Sequence, residues 1–360
     1  MNRPNPRRRL AMNYLGLDVH WKTSTLHMLN DAGQQVKSLT VKGGWSKMID
    51  AVTRLKGEAT DGLAICYEAS CGCGYLYDRF KALADRIVVA HPAKLKAIYG
   101  SKRKTDKIDA QKLAKMLCLD MVPPVHMPAP AVRAWRKMIE YRQRVLAKRT
   151  RCKNQLRAWL KEQGIECPLR GKGLWTTKGL GWLAGLSPAD EPHALIRAML
   201  IEELAMLDVQ IKSATKELDK MGRTRPAVVL LKTIPGVGPR TAECLTAYID
   251  QVQRFGRIKQ IGSYFGLVPC EDSSAGRQRL GHITRQGPPT VRKLLVEAAW
   301  QGIRRSPTIK AYFERIAGGK KDRRKIALVA TAHYLSRVVL AMLRSGEPWH
   351  EKAEVKKEAA

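Results

Sequence analysis

Three short runs open the chain: residues 13–19 (NYLGLDV) are apolar with an acid near their end, and Ser24–Leu29 and Gln35–Val41 partly alternate apolar and polar residues. A short apolar run and a partial period of two both predict strands. The gaps between them, Trp21–Thr23 and Asn30–Gly33, are long enough only for tight turns, so the strands must be antiparallel neighbours. The period then changes. Trp45–Leu55 has helical spacing, Gly62–Tyr67 is a short buried-type strand ending in an acid, and Gly74–Ala84 reads as a helix. Arg86–Ala90 is a further strand, Pro92 opens a helix, and Asp106–Leu119 forms another. The pattern is that of an α/β domain covering residues 12–128.

Antiparallel strands followed by alternating helices and parallel strands is the ribonuclease-H-like order. The segment Met121–Pro130 carries Pro123, Pro124, Pro128 and Pro130 and reads as a linker. Beyond it, Trp135, Met138, Ile139, Val145, Leu146, Cys152, Leu156 and Leu160 recur at three- and four-residue steps. The residues between them are strongly basic, Arg142, Arg149 and Arg151 among them. A second helix, about Pro192–Met221, has matching spacing, so residues 129–222 are expected to form a long antiparallel helical coiled-coil. Residues 223–349 read as a helical third domain: helix, Gly-rich turn, helix, a Gly- and Ser-containing loop at Glu271–Gly287, and helices from Thr290 and Ile326. The charged, Ala-rich tail 350–360 is expected to be disordered.

Charge selects the partner. Sixty-five Lys and Arg stand against 32 Asp and Glu, a net charge of +33 with a pI near 10.1. Such an excess needs a polyanion to offset its self-repulsion. One-sign helix faces point to nucleic acid rather than to simple solvation, although ribosome-associated and membrane-surface proteins share the composition. The eight cysteines show no CxxC pairing and no disulfide framework, which fits reduced thiols in the cytoplasm. No signal peptide is expected, and the apolar stretch Ile326–Leu343, interrupted by His333, Ser336 and Arg337, reads as a core helix rather than a membrane span.

Four acids stand where the front domain can gather them. Asp18 and Glu68 end predicted strands, and Asp106 and Asp109 share a helix face at i, i+3. Carboxylates brought together repel, so a hard cation would be needed to keep them ionised. A pair of Mg²⁺ ions would take oxygen ligands and clamp the oxygens of a phosphoryl transfer. On spacing alone, Asp18 and Glu68 are equally turn residues and Asp106 a helix cap. Lys102, Arg103 and Lys104 precede the acid pair and offer phosphate contacts.

Two further motifs lie downstream. Ile234-Pro235-Gly236-Val237-Gly238-Pro239 between helices suggests a helix-hairpin-helix, in which backbone N–H groups at Gly236 and Gly238 meet phosphate; the plainer reading is a Gly-rich helix turn. The run Glu271-Asp272-Ser273-Ser274-Ala275-Gly276-Arg277-Gln278-Arg279 holds two hydroxyls beside two arginines. Arg277 and Arg279 suit charge on a phosphate, yet a serine is a weak nucleophile unless activated, and such a run is also an ordinary flexible loop.

Taken together these stretches resemble one family, the insertion-sequence 110 transposases, which pair a RuvC-like DEDD domain with a C-terminal serine-bearing transposase domain. The resemblance is carried by LGLDVHWKTSTLHML, ICYEAS, SKRKTDKIDAQKLAKML, IPGVGPRTAECLTAYI, IGSYFGLVPCEDSSAGRQRLGHITRQG, VRKLLVEAAW and KIALVATAHYLSRVVLAMLRSGEPW, and it spans residues 13–349. It implies that Asp18, Glu68, Asp106 and Asp109 are catalytic metal ligands for Mg²⁺, as two ions. It implies that Ser274, or else Ser273, attacks DNA and forms a covalent intermediate. It further implies an RNA-guided recombinase of an insertion sequence, with a structured bridge RNA and double-stranded donor and target DNA. The enzyme would work as a homodimer or homotetramer in a bacterial or archaeal cytoplasm, away from membranes. The alternatives are a metal-dependent junction-type nuclease without a covalent step and a non-enzymatic nucleic-acid scaffold.

Overall fold

The computed structural model describes residues 11–58, 61–99, 105–187, 190–272 and 279–351. The chain divides into two compact units, Met1–Pro130 and Ala131–Ala360.

The first unit is a mixed α/β domain. Its elements are β1 (Met12–Val19), β2 (Thr23–Leu29), β3 (Gln35–Lys42), α1 (Trp45–Glu58), β4 (Gly62–Glu68), α2 (Cys73–Phe80), β5 (Arg86–Ala90), α3 (Pro92–Tyr99) and α4 (Asp106–Cys118). The five strands order as β3-β2-β1-β4-β5. β1, β2 and β3 pair antiparallel, whereas β4 and β5 join parallel. This is consistent with the ribonuclease-H-like order expected from the pattern. Helix α2 stops at Phe80, short of the expected Ala84.

Alternation along β1 and β4 sends side chains to two faces. On one face Leu15, Leu17, Leu63, Ile65 and Tyr67 pack with Met48, Val52, Leu55, Leu76 and Phe80 of α1 and α2. On the other, Ala64 and Cys66 pack with Leu113 and Leu117 of α4. Between Tyr14 and Asp18 that second face offers only Gly16, and α4 lies directly on it. A Cβ at Gly16 would stand 2.1 Å from the Ala110 carbonyl oxygen and 2.4 Å from the Ala114 nitrogen. Helix and strand therefore meet backbone to backbone, through a glycine on one side and alanines on the other.

The second unit is largely helical: α5 (Pro130–Glu162), α6 (Thr177–Ala184), α7 (Glu191–Gly222), α8 (Pro226–Leu231), α9 (Pro239–Ile249), α10 (Gln260–Tyr264), β6 (Pro269–Glu271), β7 (Leu280–Ile283), α11 (Pro289–Arg305), α12 (Pro307–Ala317) and α13 (Arg324–Ser345). Although α5 begins formally at Pro130, its body belongs here. Helices α5 and α7 run antiparallel, since contacts pair Arg142 with Thr215, Arg149 with Asp208, Cys152 with Leu200 and Trp159 with His193. Trp135 and Ile139 of α5 and Leu218 of α7 enter the same core as Leu231, Leu245, Leu295 and Leu335.

The Glu271–Gly287 stretch, expected as a loop, contains β7, which pairs antiparallel with β6 ending at Glu271. Helix α12 was not singled out by the pattern. Its Ser306 caps the helix by accepting from Ile309 N, and Glu351 accepts from the Ser306 hydroxyl and the Thr308 amide. Of the tail expected to be disordered, Glu351 is thus held against α12, and 352–360 lie outside the described residues. Helix α13 is long and apolar enough to cross a membrane, but 44% of its apolar window is buried within the protein. Leu335, Val339 and Leu340 place it in the core.

Glu243 of α9 is 2% exposed and pairs with Arg240 at 2.9 Å. Its second carboxylate oxygen finds no hydrogen-bond partner among the described residues. Burial pushes its carboxyl up to about 7 against the pull of Arg240.

Two outcomes are expected. A Cβ at Gly16 has only backbone to move, so Gly16→Ala should destabilise the chain by about 1–3 kcal/mol and Gly16→Val by more, measured by urea unfolding. For Glu243 the folded-state value lies above the unfolded one. Its contribution is therefore full below the ordinary carboxylate range and lost as pH rises through about 7. Unfolding free energy should fall between pH 5 and pH 8 by on the order of 1–3 kcal/mol, and Glu243→Gln should flatten that fall.

Candidate metal centre

The contact at Gly16 acts as a ruler. Two residues of strand advance about 6.6 Å, and four residues of helix advance about 6 Å. One step onward from Gly16 along β1 is Asp18. One turn back from Ala110 along α4 is Asp106. The two carboxylates must therefore approach each other, and they do. Asp18, His20 and Asp106 form a donor group whose ligand atoms all lie within 4.8 Å of one another. His20 Nε2 stands 3.4 Å from Asp18 Oδ2. Asp18 is partly buried, while His20 and Asp106 are exposed.

Local sequence explains each placement. Asp18 ends β1 next to the turn in which the His20 amide donates to the Thr23 carbonyl. Thr105 caps α4 by accepting from Ile108 N, which fixes where the helix starts and so where Asp106 points. Asp109 lies one position set further round α4 and has Lys112 4.0 Å away. Glu68 ends β4 and is exposed. Neither Asp109 nor Glu68 is part of the three-donor group.

Electrostatics follow from the gathering. Burial raises the Asp18 carboxyl above its ordinary value; Asp106 and Asp109 add to the rise, while His20 opposes it. Nearby on β2, His27 pairs across the sheet with Gly16 and is buried. Burial holds its imidazole below the usual range, and Lys107 lowers it further.

An Asp18 carboxyl whose proton affinity is raised by burial and by neighbouring acids, with an imidazole edge beside it, fits a divalent cation, which would relieve the repulsion. The expected all-oxygen set needs correction at one point: the donor set includes a nitrogen. Imidazole suits Zn²⁺, whereas the two carboxylates suit Mg²⁺ and Mn²⁺. His20 was missed in the sequence, although Asp18 and His20 are two residues apart at a strand end, a spacing that puts both on one face.

The other sequence candidates fall in various places. Arg142 donates from Nε to Thr215 Oγ1 at 2.8 Å, and Arg149 pairs with Asp208 at 2.5 Å, so both join α5 to α7. Arg151 is exposed. Gly236 has φ +91°, and a Cβ there would meet the Ala298 carbonyl and the Gly302 nitrogen, both at 2.5 Å. It seats the turn between α8 and α9 on α11. Gly238 is exposed and precedes α9. The Asp272 amide donates to the Arg279 carbonyl across the β6–β7 connection. Lys102, Arg103, Lys104, Ser273, Ser274 and Arg277 lie outside the described residues.

Comparison with known proteins agrees with this arrangement. Residues 15–164 match the transposase family model for the DEDD domain of IS110 elements, and residues 228–314 match the model described as Transposase IS116/IS110/IS902 family. The chain is therefore an enzyme of the transposase class. It is 27% identical over 341 residues to a putative transposase, y4pF/y4sB, of Sinorhizobium fredii, covering 94% of this chain and 85% of that protein. It is 24% identical over 346 residues to the transposase for insertion sequence element IS1111A of Coxiella burnetii, covering 93% and 90%. A probable family 20 transposase of Pseudomonas aeruginosa is 25% identical over 279 residues, 76% of this chain and 82% of that one. The chain belongs to the insertion-sequence 110 family of transposases.

These findings correct the expectation of an RNA-guided recombinase acting through a serine nucleophile. The chemistry they carry is that of the donor cluster in a DEDD domain, a metal-dependent nuclease step without a covalent intermediate. The physical reason is that such a cluster makes water a sufficient attacking group, while a serine hydroxyl is poor without a dedicated base.

The metal fit has a direct check. Mn²⁺ or Mg²⁺ should raise the Tm of the wild-type chain. Asp18→Asn should raise the Tm of the metal-free chain and, like Asp106→Asn, remove the cation's effect. Equal cation-induced shifts in wild type and both variants would exclude this cluster as the ligand set.

Proposed function

We propose that the protein is a transposase whose DNA-cutting step is hydrolysis of a phosphodiester at the Asp18–His20–Asp106 cluster, in the manner of a metal-dependent junction-type nuclease. The observation that carries this is the convergence of the three donors within 4.8 Å at the end of a mixed sheet. When bound there, a divalent cation, Mg²⁺ by class and in the two-ion form if a second site is filled, supplies activation of water and neutralisation of phosphoryl charge.

The protein's own residues do the rest. Asp18 and Asp106 supply charged oxygen donors from opposite sides, one from the sheet and one from α4. His20 supplies a nitrogen donor and holds Asp18 in place. The same ruler that sets Asp106 over Asp18 runs along Leu113 and Leu117, which pack on Ala64 and Cys66. One turn back from Leu113 is Asp109, and two residues on from Cys66 is Glu68. Asp109 and Glu68 are read as the second acid pair, completing a RuvC-like DEDD set.

Double-stranded DNA is the polyanion that a +33 chain would engage. In this reading α5 and α7 form a basic coiled-coil, and α8, Gly236, Gly238 and α9 form a helix-hairpin-helix that meets backbone phosphate. The divisions 12–128, 129–222 and 223–349 are then functional ones: cutting, holding and docking. The dimer or tetramer rests on family resemblance alone.

The test is cleavage of branched and linear duplex DNA. Asp18→Asn and Asp106→Asn should each lower the rate by at least a hundredfold, an expected size for losing transition-state charge stabilisation. Denaturing gels should show free ends and no protein-bound DNA. A denaturation-resistant adduct that disappears in Ser274→Ala or Ser273→Ala would refute hydrolysis by water.

A further inference from the structure

Beside the donor cluster lies a run of aromatic side chains that the cutting step does not use. Trp21 follows His20 directly and is 68% exposed. Its ring meets Trp45 of α1 edge to face, centroids 4.9 Å apart at 73°. Trp45 in turn stacks with Tyr75 of α2 at 6.1 Å and 24°. The guanidinium of Arg79 lies 5.3 Å over Tyr75, which is 47% exposed. The run is fixed to the cluster, because Trp45 Nε1 donates to the His20 carbonyl at 3.1 Å.

Single exposed apolar residues are ordinary, but this arrangement is a connected one. It joins elements that follow β1, β3 and β4 in the chain, and it ends at a donor residue. Trp21 and Tyr75 are exposed to water, Trp45 between them is half-buried against the core, and a cationic side chain lies beside Tyr75. Those are the features that take up nucleobases in single-stranded DNA proteins, where rings stack bases and cations meet phosphate. Neighbouring Cα atoms are about 3.8 Å apart, so Trp21 stands within one nucleotide's reach of His20.

We propose that Trp21, backed by Trp45 and Tyr75, is a stacking platform for an unpaired base of the DNA strand whose phosphate is held at the Asp18–His20–Asp106 cluster. The inference rests on reading that cluster as the cutting site. The platform makes the protein select strands with a base free to leave the duplex, such as those at a branch or a melted junction. Arg79 adds a contact to the phosphate beyond that base. Recognition is by ring area, so it carries little sequence preference.

The experiment separates bases from phosphates. The full chain is titrated in EDTA with a short oligothymidylate and with the matching abasic strand. Wild type should bind the base-bearing strand about tenfold to a hundredfold more tightly, with quenched tryptophan fluorescence. Trp21→Ala should lose most of that difference, leaving affinity for the abasic strand and its salt slope unchanged, because no charge is removed. Trp21→Phe should restore part of it, and Tyr75→Ala should weaken it. If Trp21→Ala binds both strands as wild type does, or weakens both equally, the platform is wrong. A Trp21-dependent preference for oligouridylate over DNA would overturn DNA as the occupant. Because EDTA blocks cutting, failure of the cutting site would show instead as normal cleavage by Asp18→Asn.

Discussion

The closeness of α4 to β1 at Gly16 is the constraint on which the first unit depends. Backbone there touches backbone, at the small residues Ala110 and Ala114 of α4. Every acid of interest is then set by counting along two rigid elements. The sheet supplies Asp18 and Glu68 at the ends of adjacent parallel strands, and α4 supplies Asp106 and Asp109 from its first turn. Asp18 and Asp106, which repel one another, are held close by apolar packing several residues away. Stability is thus generated in one layer and used in another, a common arrangement where a charged site must be preorganised.

Much of the first unit was legible because its signals are periodic. Partial alternation marked β2 and β3, and the apolar runs at 13–19 and Gly62–Tyr67 marked β1 and β4. The acids were legible as strand-end and helix-start residues. His20 was not, because a single histidine after a strand is most often a turn residue, and only the helix brought against it reveals its company. Gly16 was equally silent: nothing in LGLDV says that a helix will rest on the glycine. In the second unit the long helices could be read from their apolar steps. The inward use of Arg142 and Arg149 could not, since a basic residue near an apolar seam reads the same whether it bonds across to Thr215 and Asp208 or faces a phosphate.

The second unit shows how a chain with so many cations remains compact. Several guanidinium groups serve inside it: Arg136 donates to the carbonyls of Ala247 and Tyr248, Arg254 to those of Ile249 and Tyr248, and Arg225 lies 4.2 Å over the buried Trp135 ring. Each uses the planar, multiply donating geometry that a lysine lacks. Positive charge is therefore partly structural here, and the count of cations overstates the surface available to a polyanion.

The ruler between β1 and α4 also governs how such a protein can change over time. Substitutions on the outer side of α4 leave the spacing intact and can accumulate freely. Adding or deleting one residue between Asp106 and Ala110 would swing the acid about 100° around the helix axis and carry it off the sheet. The length of that single helical turn is therefore fixed by geometry, whichever residues line its outer side.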